Sequence, residues 1–556
     1  MSLTEEQVHW FKQDLPDELR FDLALGLDLE DAFDCDLAFG TGGLRGKLGA
    51  GPNRINLYTI RRAAFGVAKW LQGNKQKAKE EHSVVISYDS RIHSRDFAEE
   101  SAKVLAKEGI RVFLSDELRP TPELSFLVRH LHADAGVMIT ASHNPALYNG
   151  FKVYDATGGQ ITPTAADQIT QFMAKQHDVF LIPTTELTDP LIQLIGKEAD
   201  AAYLEALKTV FIRPEMLAKS GGQLSICYTP LHGAGRKLVT EGLQQNGFSN
   251  VQLVAQQARP DGNFWTVQSP NPEEVASFQQ AIHFAEPETD VILATDPDSD
   301  RLGVAVPESA EDRFRILTGN QLGALLLDYL ITGKQEKGTL KTNELLVTTI
   351  VTSDLGRKIA AYHGIDHIET LTGFKFIGEE IARLEKTDDH HFLFGYEESY
   401  GYLAQPFVRD KDAIQAAVLT AEMTLYHKLN GQSLLDRLNE LYVAFGYHLE
   451  ELITHTFEGK AGAAKMASIM QSLREGEIIF SNVAAKVDFL EQTEAYPDLP
   501  KADVLNFLLA DGTQLFIRPS GTEPKCKCYI QVVGKTRKQA EESLVSATKQ
   551  IEQLFN

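Results

Sequence analysis

The sequence predicts an α/β protein: three similar α/β domains with mixed or parallel sheets, then a smaller C-terminal α+β domain. Three observations carry this expectation. The chain has 556 residues, too many for one hydrophobic core and enough for several domains of roughly 100–200 residues each. Short β-branched runs alternate with helical patterns three times over, as βαβ units do. The last stretch of the chain breaks that rhythm. Boundaries are expected at 1–205, 206–318, 319–445 and 446–556.

The first pass places strands near Val84–Tyr88, Arg111–Leu114 and Gly136–Thr140, with helices starting near Ser94 and Pro122. Ser94 reads as an N-cap and Gly109 as a helix terminator. The second pass runs through Leu224–Tyr228, Val251–Val254 and Val291–Thr295. The third runs through Leu345–Val351, His367–Leu371 and His391–Phe394. The final part reads as a helix near Ala461–Arg474, strands around Val504–Ile517 and Cys526–Val533, and a closing helix from Thr536. No low-complexity linker interrupts the chain, so the domains are expected to pack closely.

Composition excludes several classes. Hydrophobic residues make up 43% and charged residues 24%, as in an ordinary globular protein. Fifty-four basic against 77 acidic side chains leave a formal charge of −23, which argues against nucleic acid or an anionic membrane as the main partner. An anionic substrate must then be met by local Arg and Lys. No apolar run approaches the roughly 20 residues of a membrane-spanning helix. Met1–Trp10 is polar and acidic, unlike a secretory signal. Four cysteines, Cys35, Cys227, Cys526 and Cys528, predict reduced thiols in a cytoplasmic protein.

In each pass a polar loop follows the third strand: Ser142-His143, then Asp296–Arg301, then Tyr396–Gly401. Ligands of open α/β sheets bind beyond the carboxyl ends of strands, so these loops form the candidate site. Thr140-Ala141-Ser142-His143-Asn144-Pro145 sets a hydroxyl beside an imidazole straight after the apolar run Ala135–Ile139. Ser142 is placed to hold a covalent group, phosphate above all. Turn chemistry from Ser and Asn-Pro is the competing reading of this segment alone.

Asp296-Pro297-Asp298-Ser299-Asp300-Arg301 puts three carboxylates at alternate positions. On an extended loop they converge on one hard cation, and Mg²⁺ suits all-oxygen ligation near phosphate. A solvated acidic turn is the plain alternative. An EF-hand is excluded, because Arg301 stands where Gly is needed and Pro307 where the closing Glu is needed. A haloacid-dehalogenase-like phosphotransferase would use an aspartyl nucleophile at a strand end. That reading leaves the third Asp, Arg301 and Ser142 unexplained.

Arg518-Pro519-Ser520-Gly521-Thr522-Glu523-Pro524-Lys525 offers a guanidinium fork, two hydroxyls and an accessible backbone, the donor set for a phosphate dianion. A basic β-turn is its alternative. Gly395-Tyr396-Glu397-Glu398-Ser399-Tyr400-Gly401 offers carboxylates and hydroxyls suited to the vicinal hydroxyls of a sugar, and alone also reads as a plain loop. Gly40-Thr41-Gly42-Gly43-Leu44-Arg45-Gly46 is not a dinucleotide fingerprint, since its third Gly is misplaced and no strand precedes it. It is expected to be a flexible loop presenting Arg45 to an anion. Lys152, in Tyr148-Asn149-Gly150-Phe151-Lys152, can fold back towards Ser142, with a solvated lysine as the default.

Together, and in order along nearly the whole chain, these motifs resemble the α-D-phosphohexomutase family. TASHNP at 140–145 matches its phosphoserine loop, DPDSDR at 296–301 its metal loop, EESYG at 397–401 its sugar loop and RPSGTEPK at 518–525 its phosphate loop. The N-terminal GTGGLRG, Pro270-Asn271-Pro272-Glu273-Glu274 and Arg409-Asp410-Lys411-Asp412 look most like its phosphoglucomutase and phosphopentomutase branch. Tyr400-Gly401 stands where phosphomannomutase-type members carry Gly-His, and Gly373-Phe374-Lys375 where many relatives place a histidine. Both departures count against a mannose or glucosamine enzyme.

The resemblance implies four domains around a central cleft, the last swinging shut on substrate. It implies interconversion of glucose 1-phosphate and glucose 6-phosphate, with glucose 1,6-bisphosphate as intermediate and activator. Ser142 would carry the phosphoryl group, and Asp296, Asp298 and Asp300 would bind Mg²⁺ with a phosphoserine oxygen. Arg45, His143, Lys152, Arg301 and Lys411 would lie near the transfer, Lys152 as general acid/base and Lys411 as the alternative. Gly373, Lys375, Glu397 and Ser399 would hold the sugar, and Arg518, Ser520, Gly521 and Thr522 the phosphate that is not reacting. The partners implied are small-molecule sugar phosphates, with no nucleic acid and no membrane. The alternatives are a phosphopentomutase, a phosphomannomutase or a bisphosphate synthase. Outside these stand a hydrolytic phosphatase and a non-catalytic sugar-phosphate sensor, which would have no need of Ser142, the carboxylates and the clamp together.

Overall fold

The computed structural model describes residues 3–26, 28–40, 43–73, 81–308, 314–457, 459–476, 480–491, 496–497, 499–519 and 525–555. The chain divides into two compact units. The first comprises Met1–Thr318, Ile377–Asp388 and Ser399–Tyr426; the second comprises Gly319–Phe376, Asp389–Glu398 and His427–Asn556.

Among the described residues, two sheets lie wholly within the first unit. One is built from β1 (Gly43–Lys47), β2 (Ser83–Tyr88), β3 (Arg111–Ser115), β4 (Ala135–Ile139), β5 (Tyr148–Asp155) and β6 (Ile192–Ile195), in the order β1-β5-β4-β2-β3-β6. Strands β4, β2, β3 and β6 are parallel, and β5 and β1 are antiparallel additions. The residues of β4 are buried throughout, which is why the strand reads as an unbroken apolar run. Ile60, Val67, Val84, Ile86, Val104, Val137 and Ile139 lock the helices Leu57–Gly73 and Ser94–Lys107 to this sheet, each aliphatic side chain contributing about 1.5–3 kcal/mol.

The other sheet is built from β7 (Ile226–Thr229), β8 (Val251–Leu253), β9 (Val291–Thr295), β10 (Leu302–Pro307) and β11 (Phe314–Ile316), in the order β11-β10-β9-β7-β8. Here β8, β7 and β9 are parallel, while β10 runs back against β9. The same device therefore occurs twice: a buried parallel strand, a polar loop, then an antiparallel return strand. Ser142 lies on the loop from β4 to β5, and the acidic motif is the loop from β9 to β10.

In the second unit β12 (Glu344–Thr349), β13 (Asp366–Thr370) and β14 (His391–Glu397) are parallel, with β12 in the middle. The short β15 (Gly401–Leu403) belongs to the first unit. The C-terminal part is antiparallel: β16 (Tyr447–Thr456), β17 (Val483–Asp488), β18 (Leu505–Leu509), β19 (Gln514–Pro519) and β20 (Lys525–Gly534), ordered β16-β20-β19-β18-β17. Helix Arg537–Phe555 buries Ala540, Ala547, Ile551 and Phe555 in that core. Ile350, Val351 and Leu371 also pack with Phe489, Val504, Phe516 and Tyr529 within this unit. Among the described residues no helix is long and apolar enough to cross a membrane.

Four local expectations are corrected. Ser94 is the first helical residue rather than the N-cap, which is His93 at φ 62°; its hydroxyl is drawn instead to Asp89, at 2.7 Å. Residues 43–46, expected within the flexible loop 40–46, belong to β1, because they pair with the return strand β5. Tyr396 and Glu397, expected in the loop Tyr396–Gly401, are the last residues of β14. The acidic motif is a tight turn, not an extended segment: the Ser299 N–H donates to the Asp296 carbonyl at 2.9 Å and Ser299 takes φ 55°.

Candidate active site

Ser142 leaves the sheet on a strained backbone. Its φ is 51°, a left-handed conformation costly for a residue with a Cβ. Neighbours enforce it. The Ser142 N–H donates to Thr140 Oγ1 at 2.8 Å, and Thr140 Oγ1 donates to Asp89 at 2.6 Å. Arg91 fixes the loop from beneath: its guanidinium donates to the carbonyl oxygens of Pro145 and Tyr148, each at 2.9 Å, of Ser142 at 2.5 Å, and of Asn144. Burial pushes the Arg91 pKa down to about 10, with Asp89 opposing that shift, so the group stays charged at neutral pH. The motif Asp89-Ser90-Arg91 went unread in the sequence. Its signal was a charged pair directly after the apolar run of β2, a place where charge is kept only if it is used.

With the loop so held, Ser142 Oγ is buried and donates to Asp296 Oδ2 at 2.8 Å, with His143 Nδ1 at 3.1 Å on the other side. Oxygens of Asp296, Asp298 and Asp300 lie within 4.8 Å of one another, all three residues buried. An extended strand would spread alternate residues by roughly 6.6 Å; the tight turn is what gathers them. Burial, then Asp300 and Asp298, pushes Asp296 well above the usual carboxylate range. Burial alone would also raise Asp300, but Lys411, Lys152 and Arg301 outweigh it and hold the group below its ordinary value.

The turn is anchored from several sides. The N–H groups of Ala234, Thr121 and Ala413 donate to the carbonyls of Pro297, Asp298 and Ser299 at 2.8, 2.8 and 3.2 Å, and Leu302 N–H donates to Tyr400 O at 3.0 Å. Gly233 and Gly235 are required beneath it: a Cβ at either would come within 2.4 Å of Pro297 Cα or Ser299 Oγ.

Two lysines enter the carboxylate cluster. Lys152, whose default reading from its own segment is a solvated lysine, is buried because β5 points it inwards, and it donates to Asp298 at 2.7 Å and Asp300 at 3.4 Å. Lys411 reaches Asp300 at 3.1 Å and Asp410 at 3.3 Å. Asp410 accepts from Tyr154 at 2.9 Å, and Asp412 from Tyr203 at 2.7 Å, so both carboxylates flanking Lys411 are fixed. Arg301 pairs with Glu273. Arg45 is exposed and reaches Asn144 at 3.3 Å. The structure thus brings together Ser142, His143, Lys152, Asp296, Asp298, Asp300 and Lys411, with Arg301 and Arg45 at the edges.

Oδ1 of Asp298 and Oδ1 of Asp300 are buried without a hydrogen-bond partner. Three buried carboxylates that converge, two of them with an oxygen that receives no hydrogen bond, fit a hard divalent cation, so the donor set suits Mg²⁺.

The remaining candidates divide by unit. In the second unit Glu397 is buried and accepts from the Gly373 N–H at 2.8 Å; Gly373 sits at φ 121°, a conformation that favours glycine. Lys375 is buried, with its ammonium 4.8 Å from the Phe376 ring centre. Arg518 is half-buried on β19. Ser520, Gly521 and Thr522 lie outside the described residues, as do Thr41 and Gly42. Ser399, in the first unit, is half-buried.

Comparison with known proteins adds an independent line. Four descriptions match in order: "Phosphoglucomutase/phosphomannomutase, alpha/beta/alpha domain I" over residues 36–179, domain II over 201–309, domain III over 318–445 and the C-terminal domain over 457–545. The phosphoglucomutase of Staphylococcus aureus (strain MRSA252) is 39% identical over 521 residues, 91% of each chain. The fold is shared with the crystal structure of the phosphoglucomutase parafusin from Paramecium: TM-score 0.69, 18% identity, 94% of this chain and 95% of that one. It is also shared with Aspergillus fumigatus N-acetylphosphoglucosamine mutase in complex with GlcNAc-6P and magnesium: TM-score 0.50, 13% identity, 97% of this chain and all of that one.

Proposed function

The chain belongs to the phosphoglucomutase/phosphomannomutase family, and from that premise we propose that it interconverts α-D-glucose 1-phosphate and glucose 6-phosphate. One observation carries the reading: a buried serine hydroxyl at a strand end, 2.8 Å from the first of three converging carboxylates. A sugar-binding protein without phosphoryl transfer has no use for that pairing.

In this reading Ser142 carries the phosphoryl group in the resting enzyme. Asp296, Asp298, Asp300 and a phosphoserine oxygen would hold Mg²⁺, which supplies neutralisation of the phosphoryl charge. The free hydroxyl of the bound sugar phosphate attacks phosphorus. The bond from phosphorus to Ser142 Oγ breaks as the new P–O bond forms, and Ser142 takes up the proton that the sugar hydroxyl gives up. Lys152 is assigned as the carrier of that proton, with Lys411 as the alternative. The bisphosphate then turns over and returns its other phosphoryl group to Ser142 by the reverse step.

Glu397, Ser399, Gly373 and Lys375 are assigned to the sugar by family analogy, and Arg518, Ser520, Gly521 and Thr522 to the phosphate that is not reacting. The proposal keeps the four-domain division at 205/206, 318/319 and 445/446. It also keeps a cytoplasmic location, in keeping with four free cysteines, and glucose 1,6-bisphosphate as activator.

The test is an assay with glucose 1-phosphate, Mg²⁺ and a trace of glucose 1,6-bisphosphate, run on the parent and on Ser142→Ala. Glucose 6-phosphate formation that collapses in the variant supports the proposal. Full activity in the variant overturns the phosphoserine mechanism. Activity confined to ribose phosphates makes the protein a phosphopentomutase, and release of inorganic phosphate makes it a phosphatase.

A further inference from the structure

We propose that Thr121 is the positioning residue of the metal-binding turn, aiming the Asp298 carboxylate so that one oxygen is left bare for the cation. This rests on the assignment of Asp298 as a metal ligand made above.

Thr121 opens the helix Thr121–His130, is wholly buried, and lies between β3 and β4, strands of the sheet that leads to Ser142 rather than of the one that leads to Asp298. The first N–H groups of a helix have no partner within it. Here the Thr121 N–H donates to the Asp298 carbonyl at 2.8 Å. Its hydroxyl donates to Asp298 Oδ2 at 2.9 Å, and Lys152 Nζ donates to that same oxygen at 2.7 Å. Both side-chain donors thus fall on Oδ2, and the buried Oδ1 has no hydrogen-bond partner. A carboxylate with one oxygen accepting two hydrogen bonds and the other receiving no donor presents a single ligand atom in a fixed direction.

The two donors differ in kind: the Lys152 ammonium also reaches Asp300 at 3.4 Å, whereas Thr121 gives its hydroxyl to the Asp298 carboxylate and its N–H to the carbonyl of the same residue. Thr121 is therefore the donor dedicated to Asp298. It also registers the Ser142 sheet against the turn 177 residues further along the chain. Groups that hydrogen-bond to metal ligands commonly govern metal affinity in this way.

The test uses the full chain, after dephosphorylation, with free Mn²⁺ followed by electron paramagnetic resonance. Thr121→Val keeps the shape and the backbone N–H but removes the hydroxyl, and is expected to weaken Mn²⁺ binding by about tenfold or more. Thr121→Ser keeps the donor and is expected to restore the parent constant. The Mg²⁺ concentration needed for half-maximal activity should rise in parallel, while KM for glucose 1-phosphate stays at the parent value. Should Thr121→Val fail to fold by circular dichroism, Thr121→Ala carries the same expectation. An unchanged Mn²⁺ constant in the variant, or no Mn²⁺ binding by the parent, overturns the proposal. A parent that lacks mutase activity, yet binds Mn²⁺ tightly and loses it in Thr121→Val, overturns the mutase reading and leaves the positioning role standing.

Discussion

Ser142 and Asp296 stand 154 residues apart in the chain, yet the serine hydroxyl donates to Asp296 Oδ2 at 2.8 Å. The bond joins two loops built alike on different sheets, each where a buried parallel strand gives way to an antiparallel return strand. It puts the hydroxyl where a phosphoryl group carried on it and the carboxylate cluster would share one cation. Ser142→Ala is therefore expected to lower mutase turnover by roughly three orders of magnitude or more, as losing an essential nucleophile does. Mass spectrometry of the parent incubated with glucose 1,6-bisphosphate should show one phosphoryl group, absent from the variant.

Arg91 spans four carbonyl oxygens of the serine loop and also lies 4.9 Å from the Phe264 ring centre. A lysine cannot reproduce that planar fork. Arg91→Lys is expected to cost about 2–3 kcal/mol of stability, from lost hydrogen bonds to a buried charge. Urea unfolding should show the midpoint shift, and kcat should fall with it, because the strained backbone of Ser142 loses its support.

A Cβ on Gly401 would sit 2.1 Å from Lys411 Cδ. Gly401→Ala must therefore push the lysine out of its place against Asp300 and Asp410. A misplacement of about 1 Å near a reacting centre costs up to about 10²-fold in rate. Turnover should drop on that scale while the thermal midpoint changes little, a contrast that calorimetry beside steady-state kinetics will show.

His367 and His448, both in the second unit, enter the fold neutral. Burial comes first among the causes, reinforced by Arg357 near His367 and by Lys358 near His448, and pushes each imidazole down to about 4. The unfolded chain binds these protons near pH 6.5 and the folded chain does not, so stability falls as pH drops from 6.5 towards 4. Each group contributes on the order of 3 kcal/mol across that window, at ~1.4 kcal/mol per pKa unit. The double variant His367→Asn/His448→Asn should show a flatter loss of stability with acid than the parent. Equal slopes would sink the assignment.

Chelation should abolish turnover, and added Mg²⁺ should restore it without refolding, because the turn is held by backbone hydrogen bonds to Ala234, Thr121 and Ala413. Binding to the folded state alone adds stability. At Mg²⁺ a hundredfold above its dissociation constant the gain is about 2.7 kcal/mol, visible as a raised melting midpoint. Asp298→Asn should lose most of that gain.

Much of the fold was legible because its signals are local. The strands Val291–Thr295 and Ala135–Ile139 are buried on both faces, so their apolar runs stand out between polar loops. The carboxylates at 296, 298 and 300 and the serine at 142 follow those runs directly. Arg45 was misread as part of a loop because its strand forms only by pairing with β5, and no residue near Arg45 encodes that partner. Ser94 was misread as a cap because a buried Asp89 competes for its hydroxyl.

By itself, then, the sequence determined the parallel strands of each α/β pass, the two polar loops of the first unit and the side chains those loops carry. Each of these is written in neighbouring residues, through burial pattern and turn preference. Only the tertiary structure decided that Lys152 is buried against Asp298 and Asp300, that Arg91 holds the serine loop, that Gly401 makes room for Lys411 and that Thr121 reaches Asp298. Those relationships join residues far apart in the chain. They exist because dense packing leaves each buried polar group few partners, and a linear reading does not show which partner the packing brings within reach.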